Sequence, residues 1–186
     1  KPRPTQRAII GQRCSQNLQQ IPVLDSSFLL QCQLTELSLP DLEPPAGLDA
    51  VVVLNSFGSL LWGNRGLASI EVPVLSIGGS MDLITPPLNE QLRPFQQFQH
   101  PGSRLAVVEG GSHFSPVGLR REQALMRLGS DLVGGDPRLV QRALVDLHAR
   151  FLQSVAKGEN LPSGLHSIAG VNTYVLDAPM AEPLLP

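Results

Sequence analysis

The sequence predicts an α/β domain: a parallel sheet flanked by helices, preceded by an N-terminal helical segment. Three observations predict it. Short apolar runs rich in Val, Ile and Leu lie at 49–55, 72–77 and 105–108, and strands covered on both faces have this make-up. Apolar residues recur at helical spacing between the last two runs and again after Pro137. Glycine pairs, Gly78-Gly79 and Gly110-Gly111, follow two of the runs, so the chain can turn sharply off the sheet there. At 186 residues, 42% of them hydrophobic, the chain can build one domain with a real core. Its 17 glycines and 17 prolines predict frequent loops and turns.

Residues 1–9 read as a charged, proline-bearing tail. From Gln12 to Leu37 the spacing of Leu18, Ile21, Leu24, Phe28, Leu29 and Cys32 predicts one or two short helices. Asp25-Ser26-Ser27 supplies an N-cap before Phe28-Leu29-Leu30. Three prolines and a glycine make 40–47 a loop. Strands follow at Asp49–Asn55 and Val72–Ile77, then a helix at Leu88–Phe98 with Leu88, Leu92, Phe95 and Phe98 on one face, then a strand at Leu105–Val108. A further helix is predicted over Leu119–Leu128, and Gly134-Gly135 breaks the chain. Asp136 as N-cap and Pro137 at the first helical position open the best-marked helix. Its apolar stripe is Leu139, Val140, Ala143, Leu144, Leu147, Phe151 and Val155, and Gly158 ends it. Glu159–Pro186 holds four prolines and little periodicity, which predicts an extended, partly ordered tail. The expected organisation is therefore a tail and helical segment over 1–45, an α/β core over 46–158 and a tail over 159–186.

With a net charge of −2 and no long basic run, nucleic acid and anionic membrane surfaces are not expected partners. Arg120-Arg121, the densest basic spot, reads as a solvated helix face. No apolar run is long enough to span a membrane, and no signal peptide is visible. The chain opens Lys1-Pro2-Arg3-Pro4 without Met, as a processed or trimmed product would. Cys14 and Cys32 fit no zinc or redox motif. They read either as two free core thiols or as a disulfide stapling the N-terminal region, and the disulfide would imply an oxidising compartment, periplasmic or extracellular.

Two residues carry chemistry. Asp82 follows Gly78-Gly79, and His113 follows Gly110-Gly111, each just past the end of its apolar run. Active sites gather at the carboxyl ends of parallel strands. Alone, Asp82 reads as a loop or helix cap and His113 as a loop histidine bonded to backbone. Together, 31 residues apart, they are separated by one helix and one strand, so adjacent parallel strands would join their loops. A carboxylate beside an imidazole fixes its tautomer and stabilises the imidazolium formed in acyl transfer. His100 reads as a solvent-facing turn residue, His148 as a helix-face residue and His166 as part of the tail. No spacing resembles a metal site, and no cofactor is expected. No serine or cysteine has the flanking glycines of Gly-x-Ser-x-Gly, and no His-Gly-Gly loop is present to form an oxyanion hole.

The phrases Asp49-Ala50-Val51-Val52-Val53-Leu54-Asn55, Val72-Pro73-Val74-Leu75-Ser76-Ile77-Gly78-Gly79-Ser80-Met81-Asp82 and Glu109-Gly110-Gly111-Ser112-His113-Phe114 resemble the C-terminal half of an α/β-hydrolase. Within that superfamily they are most similar to dienelactone-hydrolase-like and platelet-activating-factor-acetylhydrolase-like esterases. The resemblance covers 48–115. It implies that Asp82 is the triad acid, that His113 is the general base and that the three strands are the last of the central sheet. It also implies that the residues before about Pro45 form a cap. Nucleophile and oxyanion hole then lie upstream, in a missing N-terminal half supplied by a precursor or a second chain. A three-strand remnant would expose a sheet edge, so association with that half is expected. The implied function is the C-terminal catalytic portion of a serine hydrolase acting on a small ester or lipid acyl ester. Leu60, Leu61, Trp62 and Phe114 suit an apolar acyl group, with Trp62 and Phe114 the expected substrate contacts, and suit a plain core equally. The competing function is a non-catalytic binding or assembly module on the same scaffold.

Overall fold

The computed structural model of the chain describes residues 4–18, 26–34, 46–63, 65–117 and 134–185. Helix 119–128, Arg120-Arg121, the Asp25 cap and nearly all of loop 40–47 lie outside them. Among the described residues the chain is mixed α/β, built on one five-stranded sheet. The helices are α1 (Pro4–Leu18), α2 (Ser26–Gln33), α3 (Ser59–Trp62), α4 (Arg93–Phe95), α5 (Pro137–Ala156) and α6 (Ala178–Ala181). The strands are β1 (Val51–Leu54), β2 (Val74–Gly79), β3 (Arg104–Val108), β4 (Gly164–Ile168) and β5 (Val171–Leu176), ordered β1-β2-β3-β5-β4. The first three run parallel, with Leu54 opposite Ile77 and Gly79 opposite Val108. β5 runs antiparallel to both β3 and β4.

The chain from residue 159 departs from the extended tail that its prolines suggest. Leu161 is buried, and β4 and β5 form a hairpin that completes the sheet. The pattern of β5 explains this: Val171, Thr173 and Val175 are buried while Asn172 and Tyr174 face out, the period of two of a half-covered strand. Gly170, at φ +81°, and Ala169, at φ +51°, make the tight turn between the strands. The hairpin also covers the edge of β3 that a three-strand remnant would leave bare. The opposite edge differs. β1 is only half-buried and Leu54 is exposed, because β1 pairs β2 alone among the described residues.

α5 covers one face of the sheet. Val140, Ala143, Leu144, Leu147 and Phe151 are buried against Leu75, Ile77, Ala106, Val108, Ile168 and Val175. Each Val, Leu or Phe so covered contributes roughly 1.5–3 kcal/mol of burial. Asp136 accepts from the Arg138 N–H and caps the helix. Gly158, at φ +67°, ends it: its N–H donates to the Val155 carbonyl and that of Glu159 to the Ser154 carbonyl, a Schellman stop. On the other face Leu105, Leu92, Phe95 and Ala181 pack together. Arg104 enters this sheet as a buried cation. Its guanidinium donates to the carbonyls of Leu161, Pro101 and Ser103, while burial pulls its pKa down and the Asp177 charge pushes it back.

The expected helix Leu88–Phe98 is instead a π-helical turn, Leu88–Leu92, running into α4. Arg93 donates to the Leu88 carbonyl, five residues back, and Pro94 has no N–H to give the usual ladder. The widened turn leaves Leu88 44% exposed and buries Glu90 and Gln91 instead. Both polar side chains hold the loop after β1. Glu90 accepts from the Gly58 and Ser59 N–H groups, from the hydroxyls of Ser59 and Ser27, and from the Gln31 amide. Gln91 donates to the Ser56 carbonyl.

The predicted N-terminal helices are present, and the first begins at Pro4, inside the segment expected to be a tail. Cys14 and Cys32 form a disulfide that ties α1 to α2 across a Cα separation of 5.8 Å. Ile10, Cys14, Phe28 and Leu60 bury one another beside it.

Candidate active site

The two glycine pairs bring the site together. A Cβ on Gly79 would lie 2.2 Å from the carbonyl oxygen of Gly111, and one on Gly111 would lie 3.0 Å from the Cα of Gly79. Only bare backbone fits at this crossing. It lets the Ser80 N–H donate to the Val108 carbonyl and the Met81 N–H to the Gly111 carbonyl. The loops that leave β2 and β3 are thereby zipped together. Gly110, at φ +70°, turns the second loop, and its carbonyl accepts from the Gly135 N–H ahead of α5.

This zipper brings Asp82 and His113 into contact. Oδ2 of Asp82 lies 3.0 Å from Nδ1 of His113. The carboxylate is fully buried and the imidazole is 29% exposed. A buried carboxylate needs partners, and this one has them. Oδ1 accepts from the N–H groups of Ile84 and Thr85 at 3.0 and 2.8 Å. Oδ2 accepts from the Thr85 hydroxyl at 2.8 Å as well as from His113. A carboxylate only accepts, so the hydrogen on this edge of the ring belongs to Nδ1. Nε2 is then the ring's basic nitrogen. The arrangement can take a proton from a nucleophile at Nε2 and hold the resulting imidazolium against a buried negative charge.

Two residues that the sequence reading did not single out complete the cluster. Thr85 bonds Asp82 three residues back, an Asp-x-x-Thr pattern readable in the sequence as a local Asx-type turn. Its hydroxyl also lies 3.1 Å from Nδ1 of His113 and 3.3 Å from the Asn55 carbonyl. Asn55 stands at the end of β1 with φ +44°, a conformation Asn tolerates better than most residues. Its amide nitrogen lies 3.3 Å from the Ser112 carbonyl and 3.2 Å from that of His113. No local signal could have revealed that contact, because its partners are 57 and 58 residues away.

The expected apolar contacts divide. Phe114 sits edge-on to the His113 ring, centroids 5.7 Å apart, and so belongs to the cluster. Trp62 is 44% exposed, and its indole lies over Gly58 within the α3 turn. Leu60 is buried in the N-terminal cluster and Leu61 packs against it, so both serve the core. His100 accepts from the Gly102 N–H in a half-buried turn, not the solvent-facing position expected. The His148 ring bonds the Leu144 carbonyl within α5, and the half-buried His166 ring bonds the Pro162 carbonyl. A cavity of about 210 Å³ lies under the end of α5, between Leu147, Lys157, Leu161 and His166, and includes neither Asp82 nor His113. Among the described residues no group of three or more His, Cys, Asp or Glu could hold a metal ion. No described helix is long and apolar enough to cross a membrane. Comparison with protein-family models, curated proteins and solved structures finds no match to this chain.

Proposed function

We propose that this chain is the C-terminal catalytic portion of a serine hydrolase of the α/β-hydrolase type, cleaving a carboxylic or lipid acyl ester. Asp82 is the triad acid and His113 the general base. The nucleophilic serine and the oxyanion hole come from an upstream half, in the same precursor or as a second chain. One observation carries the reading: a buried, four-bonded carboxylate 3.0 Å from a partly exposed imidazole, at the ends of adjacent parallel strands. The resemblance of the 72–82 and 109–114 phrases to dienelactone-hydrolase-like esterases supports it. The edge of β1, without a strand partner among the described residues, supports the upstream half, since further parallel strands would join the sheet there.

In this reading Nε2 of His113 takes the serine proton as the serine oxygen attacks the ester carbonyl. The tetrahedral intermediate collapses, and the leaving alkoxide takes that proton back from Nε2. Water, activated by the same nitrogen, then hydrolyses the acyl-enzyme and releases the acid. Asp82 stabilises the imidazolium in both halves. Phe114, against the ring, suits an apolar acyl group, and Trp62 would reach it only from the α3 side. The Cys14–Cys32 bond supports a periplasmic or extracellular setting.

The test is labelling of the assembled protein with a fluorophosphonate probe for activated serines. Wild-type protein is expected to label, and His113→Ala to lose at least 100-fold in labelling rate, in keeping with the 10²–10⁴-fold typical of general-base catalysis. Equal labelling of the two forms removes His113 as the base, and labelling of neither form favours a non-catalytic module on this scaffold.

A further inference from the structure

The amide of Asn55 is aimed at an unusual pair of acceptors. Its nitrogen carries two hydrogens, and the two carbonyls within reach are those of Ser112 and His113. The first belongs to the peptide that precedes the His113 Cα and the second to the peptide that follows it. Holding both planes fixes the backbone on either side of that Cα, and with it the direction of the Cα–Cβ bond. The imidazole is therefore aimed from the main chain as well as by Asp82.

Asn55 is itself held firmly. Its N–H donates to the Ile77 carbonyl at 2.8 Å, continuing the β1–β2 ladder. Its carbonyl oxygen lies 3.3 Å from the hydroxyl of Thr85, which donates to Asp82. The residues after it are clipped by Gln91 at Ser56 and by Glu90 at Gly58 and Ser59. Asn55 is 9% exposed, and a left-handed φ of +44° turns its side chain away from the ladder toward the β3 loop.

We propose that Asn55 is a positioning residue for His113: one amide, anchored at the end of β1, bridges the two peptides that flank the histidine and fixes its ring on Asp82. Asn is suited to the post on two counts. It tolerates the left-handed backbone, and it supplies two donors on one nitrogen. Asp would keep the shape and present only acceptors to two carbonyl oxygens. Gly would keep the backbone and present nothing. The catalytic meaning of the inference rests on the proposed hydrolase reading, whereas the contact itself does not.

The experiment compares wild type, Asn55→Gly and Asn55→Asp, with the spectroscopic readout taken on the 186-residue chain and the ester assay on the protein assembled with its upstream half. The readout is the ¹H–¹⁵N resonance of the His113 Nδ1–H, assigned with His113→Gln. The wild-type signal is expected to be sharp and shifted downfield by the buried carboxylate. In both variants it is expected to vanish by exchange with water, while circular dichroism and the unfolding midpoint report a folded protein. The loop keeps its own turn through the Ser112 N–H and Ser115 hydroxyl bond, so a general unfolding role would not produce this pattern. With a p-nitrophenyl ester, kcat is expected to fall about 10- to 100-fold with KM within twofold, the signature of a misaimed catalytic group. A His113 signal retained in either folded variant overturns the proposal. If Asn55→Asp does not fold, Asn55→Gly decides alone. If wild type shows the signal, the variants lose it and no form hydrolyses the ester, the hydrolase reading falls and the positioning role stands.

Discussion

At Gly79 and Gly111 two backbones cross at a distance that no side chain survives. The Cβ of Gly79→Ala would meet the Gly111 carbonyl oxygen at 2.2 Å, and because that oxygen belongs to main chain it cannot swing aside. The strand ends must part, and the Met81 to Gly111 hydrogen bond goes with them. Gly79→Ala is expected to cost about 1–3 kcal/mol, the usual range for overpacking, read from urea unfolding, and to separate Asp82 from His113. A variant as stable as wild type would mean the loops are not zipped through this point. The same glycines made the site legible in the sequence: a pair after each apolar run marks where the chain can leave a sheet, and Asp82 and His113 follow at once. Thr85 was within reach of the same reading, being local to Asp82. Asn55 was not, because its meaning lies in carbonyls on another strand's loop.

Among the elements, those with both a periodic pattern and terminal signals agree best between sequence and structure. α5 has the Asp136 cap, an apolar stripe and the Gly158 stop, and runs from Pro137 to Ala156. The 88–98 segment has the stripe without the caps. There Glu90 and Gln91 find buried partners on the β1 loop, and the backbone widens to deliver them. The hairpin was hidden because the prolines that flank it, Pro162 and Pro179, suggested an extended tail and masked a clear alternation in β5. Its attachment depends on charge. Desolvation pushes the Asp177 carboxyl up. The Met180 N–H, the Ser163 hydroxyl, the Arg104 charge and its own N–H together outweigh this and hold it below the usual carboxylate range. A carboxyl whose pKa is lowered by folding stabilises the fold fully above its unfolded value, about 3.9. That contribution fades as pH falls through the folded value. Asp177→Asn retains an acceptor for the Met180 N–H and loses the charge. The stability gap between wild type and Asp177→Asn is therefore expected to be constant from pH 7 to about 5 and to close as pH falls below about 4. Urea midpoints across that range measure it, and a gap that widens in acid would contradict the assignment.

Among the described residues, the sheet is finished on one side and open on the other. β4 and β5 extend the sheet beyond β3, and α5 covers one of its faces, so the far half of the domain closes on itself. β1 has no neighbour beyond it among the described residues, and its side chains are only half covered. The N–H groups of Val51 and Asn55 donate to the carbonyls of Pro73 and Ile77 on the β2 side. By the alternation of a strand, those of Val52 and Leu54 point the other way. Hydrogen exchange can read this difference residue by residue. In the 186-residue chain, Val52 and Leu54 are expected to exchange at least 100-fold faster than Val51 and Asn55, although Val51 shares their strand and Asn55 follows it directly. Addition of the upstream half should slow Val52 and Leu54 alone toward the rates of their neighbours, because a parallel strand joining β1 takes up those donors and no others. Such protection would mark β1 as the seam of a larger sheet, with the Asp82–His113 loops at its carboxyl end beside the strand expected to carry the serine. Val52 and Leu54 already protected in the isolated chain would show the edge to be closed from within, and the partner half would have to dock elsewhere.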